Sequence, residues 1–355
     1  MKQCVPILSK IARQASPYIW EEPSEEESVR FDANTMPSPP PSAAGFMRRN
    51  GADIPVNEYA DPGYTGIRRE IASYEQTDVD TITITNSGDE AIDILAKAFL
   101  NPGDLYVTTP PTYEMYEIQC RANGGVMREV PLTRTFAVNE KELIRQSRDK
   151  KTKLLFLTNP NNPTGSVIPE GTLRRIIQNA ACAVVVDEVY REFYGYSVVG
   201  LIAQNPNLIV LRSLSKFAGL AGARVGYLIA SPTLTQTFTA IKLPMGVSSL
   251  SALLAEMVLR NDRAWIREQI AMIISERTTM ATRLTALGFF VYPSAANFLL
   301  VNMGTRASDI CLRLKAKGIL VRDRSGLPYL RGCVRISVRS PGENAFLLTS
   351  VQELL

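Results

Sequence analysis

The sequence predicts an α/β fold with a largely parallel sheet, followed by a smaller α+β unit. Helix and strand signals alternate from about residue 65 to Pro244, as they do where helices connect the strands of a parallel sheet. Short apolar runs at 153–157, 183–186 and 208–211 lie between turn residues, which is typical of strands buried on both faces. After Pro244 the helices become longer, and a strand–helix–strand set follows them.

Local composition predicts the other elements. Residues 1–45 are expected to be irregular, because they end in a proline-rich stretch at 36–41 that suits neither a helix interior nor a central strand. Residues 81–85 alternate threonine with isoleucine, which favours a strand. The remaining predicted helices cover 67–74, 89–100, 113–123, 169–180, 248–260, 264–287, 310–316 and 342–354, and the remaining strands cover 105–108, 126–131, 298–301 and 334–338.

Composition excludes several classes of enzyme. The 355 residues contain no histidine. Ser-His-Asp and Cys-His hydrolases, His-ligated zinc enzymes and haem proteins with a proximal histidine are therefore excluded, and no metal site is predicted. The net charge of +4 is too small to indicate nucleic-acid binding. Five scattered cysteines and no apolar run of membrane-spanning length predict a cytoplasmic protein without a membrane anchor.

Five motifs follow predicted strands, at the edge where open α/β sheets bind ligands. Taken singly, each motif also suits an ordinary turn, helix cap, ion pair or packing residue. A buried Asp at the end of a strand is costly unless a cation meets it, and a Lys among small and apolar residues is unusual unless it is paired or chemically used. The motifs are S-G-D-E at 87–90, P-P-T-Y at 110–113, N-P-N-N-P-T-G at 159–165, D-E-V-Y at 187–190 and S-L-S-K at 213–216, the last followed by Arg224.

Together with P-P-T-Y-E-M-Y and C-V-R-I-S-V, these motifs resemble the pyridoxal-phosphate (PLP) enzymes of the aminotransferase fold, most closely the histidinol-phosphate aminotransferase branch. The resemblance spans roughly residue 55 to the C-terminus. It implies PLP-dependent transferase fold type I: a large domain with a mostly parallel seven-stranded sheet and a small α+β C-terminal domain. The implied division is an N-terminal arm at 1–45 that packs with the small domain, a large PLP-binding domain at 46–245 and the small domain at 246–355.

The resemblance also implies a role for each cofactor contact. Lys216 would form the Schiff base with PLP and then move the substrate's Cα proton, for which its amine must lose its charge. Asp187 would meet the pyridine nitrogen, the cation that a buried Asp requires. Asn162 and Tyr190 would hydrogen-bond the ring phenolate, and Tyr113 would stack on the ring. The 5′-phosphate would be held by the S-G-D-E segment and the serine–arginine motif, namely Gly88, Asp89, Glu90, Ser213, Ser215 and Arg224.

Substrate and partner residues follow from the same resemblance. Arg335 would clamp the substrate α-carboxylate, and Tyr18, Thr35 and Arg322 would lie near the substrate, as would Asn162. Tyr59 matches a family residue that reaches the phosphate of the neighbouring subunit's cofactor, which predicts a homodimer. The expected reaction is transamination of an α-amino acid with a polar or charged side chain, with a keto acid that regenerates the cofactor.

The chain departs from the family in its N-terminal arm. Thr35 stands where relatives typically have an acidic residue, Arg339 stands where they usually have Gly, and Glu21–Glu27 contains five glutamates. Such a cluster would repel a phosphorylated substrate and favour a cationic amino acid such as an arginine derivative, although a solvated loop explains it equally well. Two alternatives stay open: a PLP-dependent lyase or cyclase acting on a cationic amino acid, and a phosphothreonine-type decarboxylase. A non-catalytic PLP-binding regulator is not expected, because it would need a DNA-binding domain and we expect none within the residues before 50.

Overall fold

A computed structural model describes residues 28–49 and 57–355 of the chain. Seven strands form the main sheet, in the order β2-β8-β7-β6-β5-β3-β4. All neighbours are parallel except β8, which runs antiparallel to β2 and β7. The seven strands of the main sheet are β2 (Ile82–Asn86), β3 (Leu105–Thr108), β4 (Val126–Glu129), β5 (Thr152–Thr158), β6 (Ala183–Asp187), β7 (Leu208–Ser213) and β8 (Val225–Ile229). The predicted α/β class and mostly parallel seven-stranded sheet are confirmed.

Helices cover both faces of this sheet because its central strands are apolar on both sides. Leu155, Val184 and Val210 pack into one cluster of buried side chains, whereas their neighbours Phe156 and Val185 belong to a second cluster on the other face. Alternation of side chains along a strand produces this division. The helices in this part of the chain are α1 (Pro41–Arg49), α2 (Thr65–Glu75), α3 (Ser87–Phe99), α4 (Met115–Ala122), α5 (Glu140–Ser147), α6 (Glu170–Asn179) and α7 (Pro232–Ile241).

The C-terminal part contains a four-stranded antiparallel sheet, in the order β12-β13-β10-β9. Near it, a short strand β1 (Val29–Arg30) pairs in parallel with β11 (Ile319–Leu320) and joins the start of the described chain to the C-terminal part. The remaining elements are α8 (Ser249–Asn261), α9 (Arg263–Ala286), β9 (Phe290–Val291), β10 (Phe298–Asn302), α10 (Ala307–Ala316), β12 (Arg322–Asp323), β13 (Cys333–Ser337) and α11 (Pro341–Glu353). The division into domains at 45 and 245 stays a prediction.

Several elements differ from the expectations, among them the two-residue strands β1, β9, β11 and β12, which were not predicted. Helix α1 begins at Pro41, inside the segment predicted to be irregular, because a proline is well tolerated in the first turn of a helix. Strand β8 and helices α5 and α7 were not predicted. Strand β8 contains Gly226, a residue type that disfavours strands, and it is the strand that breaks the parallel pattern.

In residues 28–49 and 57–355 no helix is both long and apolar enough to cross a membrane.

Candidate active site

A cavity of about 680 Å³ opens where the carboxyl ends of the parallel strands face the C-terminal sheet. Loops and helix starts after β2, β6 and β7 supply one side of it, and β12 and β13 supply the other. In an α/β sheet this edge is where ligands bind, because the strand ends and helix N-termini converge there. The side chains singled out from the five sequence motifs therefore meet in one place.

Lys216 lies in the cavity wall, three residues beyond the end of β7. Its Nζ donates a hydrogen bond to the Ala33 carbonyl oxygen at 2.9 Å. Burial lowers the pKa of the Lys216 amine to about 8, and the positive charge of Arg335 contributes to the shift. A substantial fraction of the amine is therefore neutral near pH 8, as a nucleophile or proton acceptor must be.

Asp187 ends β6 and is buried in the cavity floor. Its carboxylate accepts hydrogen bonds from the Tyr116 hydroxyl at 2.6 Å and from the Val189 amide at 3.0 Å. No arginine or lysine forms a salt bridge with it in the described part of the chain, and burial raises the pKa of Asp187 to about 6. An anion held in this way favours a cationic ligand group next to it.

A cradle of hydrogen-bond donors stands at the N-terminus of α3, where backbone amides and the helix dipole favour an anion. Arg224 crosses this helix start, and its guanidinium donates to Ser87 Oγ at 2.7 Å and to Asp89 Oδ2 at 2.8 Å. On the other side of the cradle, Ser213 donates to Ser215 at 2.9 Å. These hydroxyl, amide and guanidinium donors are the set that a phosphate group accepts.

Gly226 allows this cradle to form, because β8 passes directly against the start of α3. A Cβ at Gly226 would lie 2.5 Å from the Ser87 carbonyl carbon and 2.9 Å from the Gly88 nitrogen. These contacts are with backbone atoms, so the helix start would have to move. Because glycine has no side chain, the turn at the start of α3 has room to adopt this position.

We expect Gly226→Ala to weaken binding of PLP, the cofactor that the sequence motifs imply, roughly tenfold or more, because the displaced turn can no longer present its amides to the phosphate. Gly222→Ala is the matched control, since a Cβ there meets nothing within 4 Å. Titration of cofactor-free protein with PLP measures both affinities, and thermal unfolding checks that each variant is folded. A folded Gly226→Ala variant with wild-type PLP affinity would contradict this account of the cradle.

Three further side chains surround the space between Lys216 and Asp187. Tyr190 accepts a hydrogen bond from the Asn34 amide at 3.1 Å, and Asn162 accepts one from Arg335 at 2.8 Å. The Tyr113 hydroxyl donates to Asp89 at 2.8 Å, which fixes its ring in the cavity wall. A tyrosine hydroxyl and an amide on one side and an aromatic ring on another can bind a planar ligand with a polar edge.

Two arginines face the cavity from the C-terminal sheet. Arg322 of β12 and Arg335 of β13 are direct partners in antiparallel register, and both are buried. Arg335 donates to the Asp32 carbonyl oxygen as well as to Asn162. Like charges directly opposite on neighbouring strands repel each other. An anionic group of a ligand bound between the two guanidiniums would relieve that repulsion.

The structure brings most of the predicted site residues together. The lining of the cavity includes Thr35, Gly88, Asp89, Tyr113, Asn162, Asp187, Tyr190, Ser213, Ser215, Lys216, Arg224, Arg322 and Arg335. Glu90 is outside the lining, and its carboxylate accepts a hydrogen bond from the Asn86 amide. Tyr59 is 88% exposed and also lies outside this cavity. Tyr18 and the acidic cluster at 21–27 lie outside the described residues. The individual roles of these residues stay predictions.

Sequence reasoning missed three groups that contact the predicted site residues. Tyr116 hydrogen-bonds Asp187, Asn34 hydrogen-bonds Tyr190, and the Ala33 carbonyl accepts from Lys216. Tyr116 could have been found, because the helix predicted at 113–123 places it one turn after Tyr113; in the structure α4 begins only at Met115, and the two rings are 5.7 Å apart. The Ala33 and Asn34 contacts join segments more than 150 residues apart, and no local pattern indicates them.

The donor set fits PLP. A buried carboxylate that has no cationic partner among residues 28–49 and 57–355 suits the pyridine nitrogen, a partly neutral lysine suits the aldehyde, and the α3 cradle suits the 5′-phosphate. Fold and site thus define a PLP-dependent enzyme of the aminotransferase fold. Residues 26–351 match the family "Aminotransferase class I and II", and the chain belongs to that family.

Relatives within the family carry a more specific name. The chain is 38% identical over 330 residues to the histidinol-phosphate aminotransferase of Caldanaerobacter subterraneus, covering 92% of this chain and 93% of the relative. It is 38% identical to the corresponding Parabacteroides distasonis protein, covering 86% and 89% of the two chains. The solved histidinol-phosphate aminotransferase of Sinorhizobium meliloti in complex with PLP superposes with a TM-score of 0.90 at 25% identity, over the full length of both chains. The protein is therefore a PLP-dependent aminotransferase, as predicted.

Proposed function

We propose that this aminotransferase acts on an amine whose Cα carries an anionic substituent, with histidinol phosphate as the amino donor and 2-oxoglutarate as the acceptor. The observation that carries the substrate assignment is the buried pair Arg322 and Arg335, which face each other across β12 and β13 in the cavity wall. A phosphate monoester carries close to two negative charges and can accept from both guanidiniums. The name shared by the relatives supports this choice of donor.

The protein's own groups divide the work as follows. PLP, when bound, supplies the electron sink for the pair left at the substrate Cα. Lys216 Nζ takes the Cα proton, for which its lowered pKa is suited. Asp187 holds the pyridine nitrogen protonated, and Tyr190 and Asn162 donate to the ring phenolate. Gly88, Asp89, Ser213, Ser215 and Arg224 hold the phosphate, while Arg335 and Arg322 hold the anionic end of the substrate.

The function is tested by measuring turnover of histidinol phosphate with and without 2-oxoglutarate, and by following the formation of glutamate. We expect turnover that depends on the keto acid and yields one glutamate for each donor consumed. An arginine-like amino acid tested in parallel addresses the acidic cluster at 21–27, whose proposed preference for a cationic substrate stays a prediction. Turnover without any keto acid, or without glutamate, would overturn the aminotransferase assignment and favour the lyase, cyclase or decarboxylase alternatives.

Arg322→Gln is expected to raise KM for histidinol phosphate about 10–100-fold with a smaller change in kcat, because it removes a charge-assisted contact to the substrate anion. Arg331→Gln is the control, since Arg331 is exposed and lies outside the cavity lining. Steady-state kinetics at fixed 2-oxoglutarate measures both variants. An unchanged KM in Arg322→Gln would contradict the assignment of the anion site.

We infer that the active unit is a homodimer in which Tyr59 completes the partner's phosphate site. Tyr59 is 88% exposed, and other large apolar side chains in the described residues are exposed as well, among them Leu243 at 68%, Leu250 at 39% and Leu253 at 42%. Large exposed apolar side chains favour an interface with a second copy. The described lining of the cavity contains no residue of the 57–64 segment, so Tyr59 does not line the cavity of its own chain.

Mixing two impaired variants, assayed at a PLP concentration too low to saturate Tyr59→Ala, tests the dimer. We expect Tyr59→Ala to lose roughly tenfold in PLP affinity through the missing phosphate contact, and Lys216→Ala to lack turnover. Refolded mixtures of the two should regain activity, because a hybrid dimer has one site with a native Lys216 and a native Tyr59. Sedimentation velocity measures the mass, and a mixture of wild type with Lys216→Ala sets the expected recovery. A monomeric mass, or no recovery in the hybrid, would overturn the proposal.

A further inference from the structure

A cluster of buried charges lies behind the active site and plays no part in the chemistry described above. Arg212 is only 1% exposed, and its guanidinium forms salt bridges with Glu75 at 3.0 Å, Glu188 at 3.1 Å and Glu192 at 3.3 Å. We call these four residues the Arg212 cluster. Its carboxylates are as deeply buried as the arginine, with side-chain exposures between 0 and 3%.

Neighbouring side chains and a backbone amide donate hydrogen bonds to the carboxylates of the Arg212 cluster. Arg191 donates to Glu75 at 2.9 Å, and the Tyr227 hydroxyl donates to the other oxygen of Glu75 at 2.5 Å. Ser197 and the Val198 amide donate to Glu188 at 2.7 and 2.8 Å. Three carboxylates thus face two guanidiniums, which leaves an excess of one negative charge, and burial raises the pKa of Glu192 to about 7.

Two members of the Arg212 cluster are chain neighbours of active-site residues. Glu188 follows Asp187, and Arg212 precedes Ser213, at the ends of the parallel strands β6 and β7. Successive side chains on a strand point to opposite faces. Asp187 and Ser213 therefore face the cavity, and Glu188 and Arg212 form their ion pair on the other side of the sheet.

The neighbouring strand β8 is also connected to the Arg212 cluster by hydrogen bonds. Arg212 is the register partner of Tyr227 on β8, and Ser213 is the partner of Gly226, which packs against the α3 cradle. The Tyr227 hydroxyl and Arg212 both donate to Glu75. One set of hydrogen bonds and salt bridges thus connects the strand ends that carry the Asp187 carboxylate, the Ser213 hydroxyl and the wall of the phosphate cradle.

Stability alone does not account for charges in this position. The surrounding residues belong to the apolar core, with Tyr227, Phe193 and Val210 among its members. Apolar side chains of similar volume usually replace a buried ion network without loss of stability, because they avoid the cost of removing charges from water. What apolar side chains lack is the directional geometry of a guanidinium that donates to several fixed carboxylates.

We propose that the Glu188–Arg212 pair is a positioning device for the cofactor: it fixes the spacing between Asp187, which meets the pyridine nitrogen, and Ser213, which meets the phosphate. The proposal rests on the cofactor contacts assigned above. Neither Glu188 nor Arg212 touches the cavity, so both act through their chain neighbours. The pair therefore sets PLP affinity and the protonation of the bound ring.

Two variants with the same change of charge separate positioning from general stability. At a pH above the pKa of Glu192, Glu188→Gln and Glu192→Gln each remove one carboxylate from the Arg212 cluster and leave two carboxylates beside the guanidiniums of Arg191 and Arg212. Glu188 adjoins a cavity residue, whereas Glu192 lies on the short helical turn Arg191–Phe193. We expect Glu188→Gln to weaken PLP binding roughly tenfold, the size of effect typical when the outer partner of a ligand residue is lost, and Glu192→Gln to bind PLP as the wild type does.

The measurements are PLP titration of the cofactor-free protein, the pH dependence of the absorbance of the bound cofactor, and thermal unfolding without cofactor. The expected result is weaker PLP binding and a shifted absorbance profile in Glu188→Gln only. Equal effects in both variants, or wild-type affinity in Glu188→Gln, would overturn the proposal. If Glu188→Gln does not fold, Arg212→Lys replaces it under the same criteria. This variant keeps the positive charge but loses the planar guanidinium that donates to several carboxylates. A wild-type protein that fails to bind PLP at Lys216 would instead refute the assigned cofactor contacts.

Discussion

Replacing Lys216 with alanine is expected to lower the transamination rate by ~10⁴-fold, the upper range for removal of a general base that also bonds the cofactor. The amine lies in the cavity wall with its pKa lowered to about 8, and it is the only lysine in the described lining of the cavity. No other group there can both bond the PLP aldehyde and take the substrate Cα proton. Single-turnover kinetics with histidinol phosphate measures the loss.

The same variant has a spectroscopic consequence that is independent of turnover. The visible absorbance band of the bound cofactor should disappear from Lys216→Ala, because the bond between Nζ and the aldehyde cannot form. Lys153→Ala is the control, since the Lys153 amine donates to the Lys150 carbonyl on the surface and lies outside the cavity lining. A purified Lys216→Ala protein that kept the band would show that another residue bonds the cofactor.

The parallel part of the main sheet could be predicted from the sequence because its strands carry the signal themselves. Strands β5, β6 and β7 are buried on both faces, so they are continuous apolar runs between turns. Strand β8 is apolar too, but Gly226 interrupts it for a reason that only the tertiary structure shows, the contact with Ser87 and Gly88. Helix α7 is rich in threonine, which disfavours a helix locally, and packing against α3 and β2 overrides that preference.

The cofactor side of the site was predictable for a related reason: each group stands within a few residues of a strand end or helix start. Lys216, Asp187 and the α3 cradle all belong to short local motifs at one edge of the sheet. The contacts between distant segments were not predictable, such as the hydrogen bond from Asn34 to Tyr190. The Arg212 cluster was also missed, because Glu75 stands far from Arg212 in sequence and nothing local marks Glu75 as buried.

Asp187→Asn is expected to lower kcat by ~10³-fold, because the pyridine nitrogen loses the anion that keeps it protonated. The amide is nearly the same size as the carboxylate, and its environment can accept it. Its oxygen can take the Val189 amide hydrogen, and its NH₂ group can donate to the Tyr116 hydroxyl, which then donates to Thr158 at 2.8 Å. The loss in rate should therefore come from charge and not from altered packing. Tyr116→Phe, which keeps the carboxylate, should lose far less activity.

In the cofactor-free protein the same substitution should increase stability. The pKa of Asp187 is raised to about 6, so the folded state binds the proton more tightly than the unfolded chain does. Stability of the cofactor-free wild type therefore falls as pH rises from about 4 to about 6, and the cost persists at higher pH. At pH 8 we expect Asp187→Asn to unfold with a free energy about 2–3 kcal/mol higher than wild type, the equivalent of the shift in pKa.

Urea denaturation of both cofactor-free proteins at pH 4 and pH 8 measures this difference, which should be small at pH 4 because Asp187 is protonated there. Adding PLP should reverse the order at pH 8, since the wild-type carboxylate then gains its cationic partner and the amide does not. A variant that is less stable than wild type at both pH values without cofactor would mean that Asp187 is held by contacts within the protein. The buried charge is costly in the empty fold and favourable in the loaded one, so its burial favours the state that contains the cofactor.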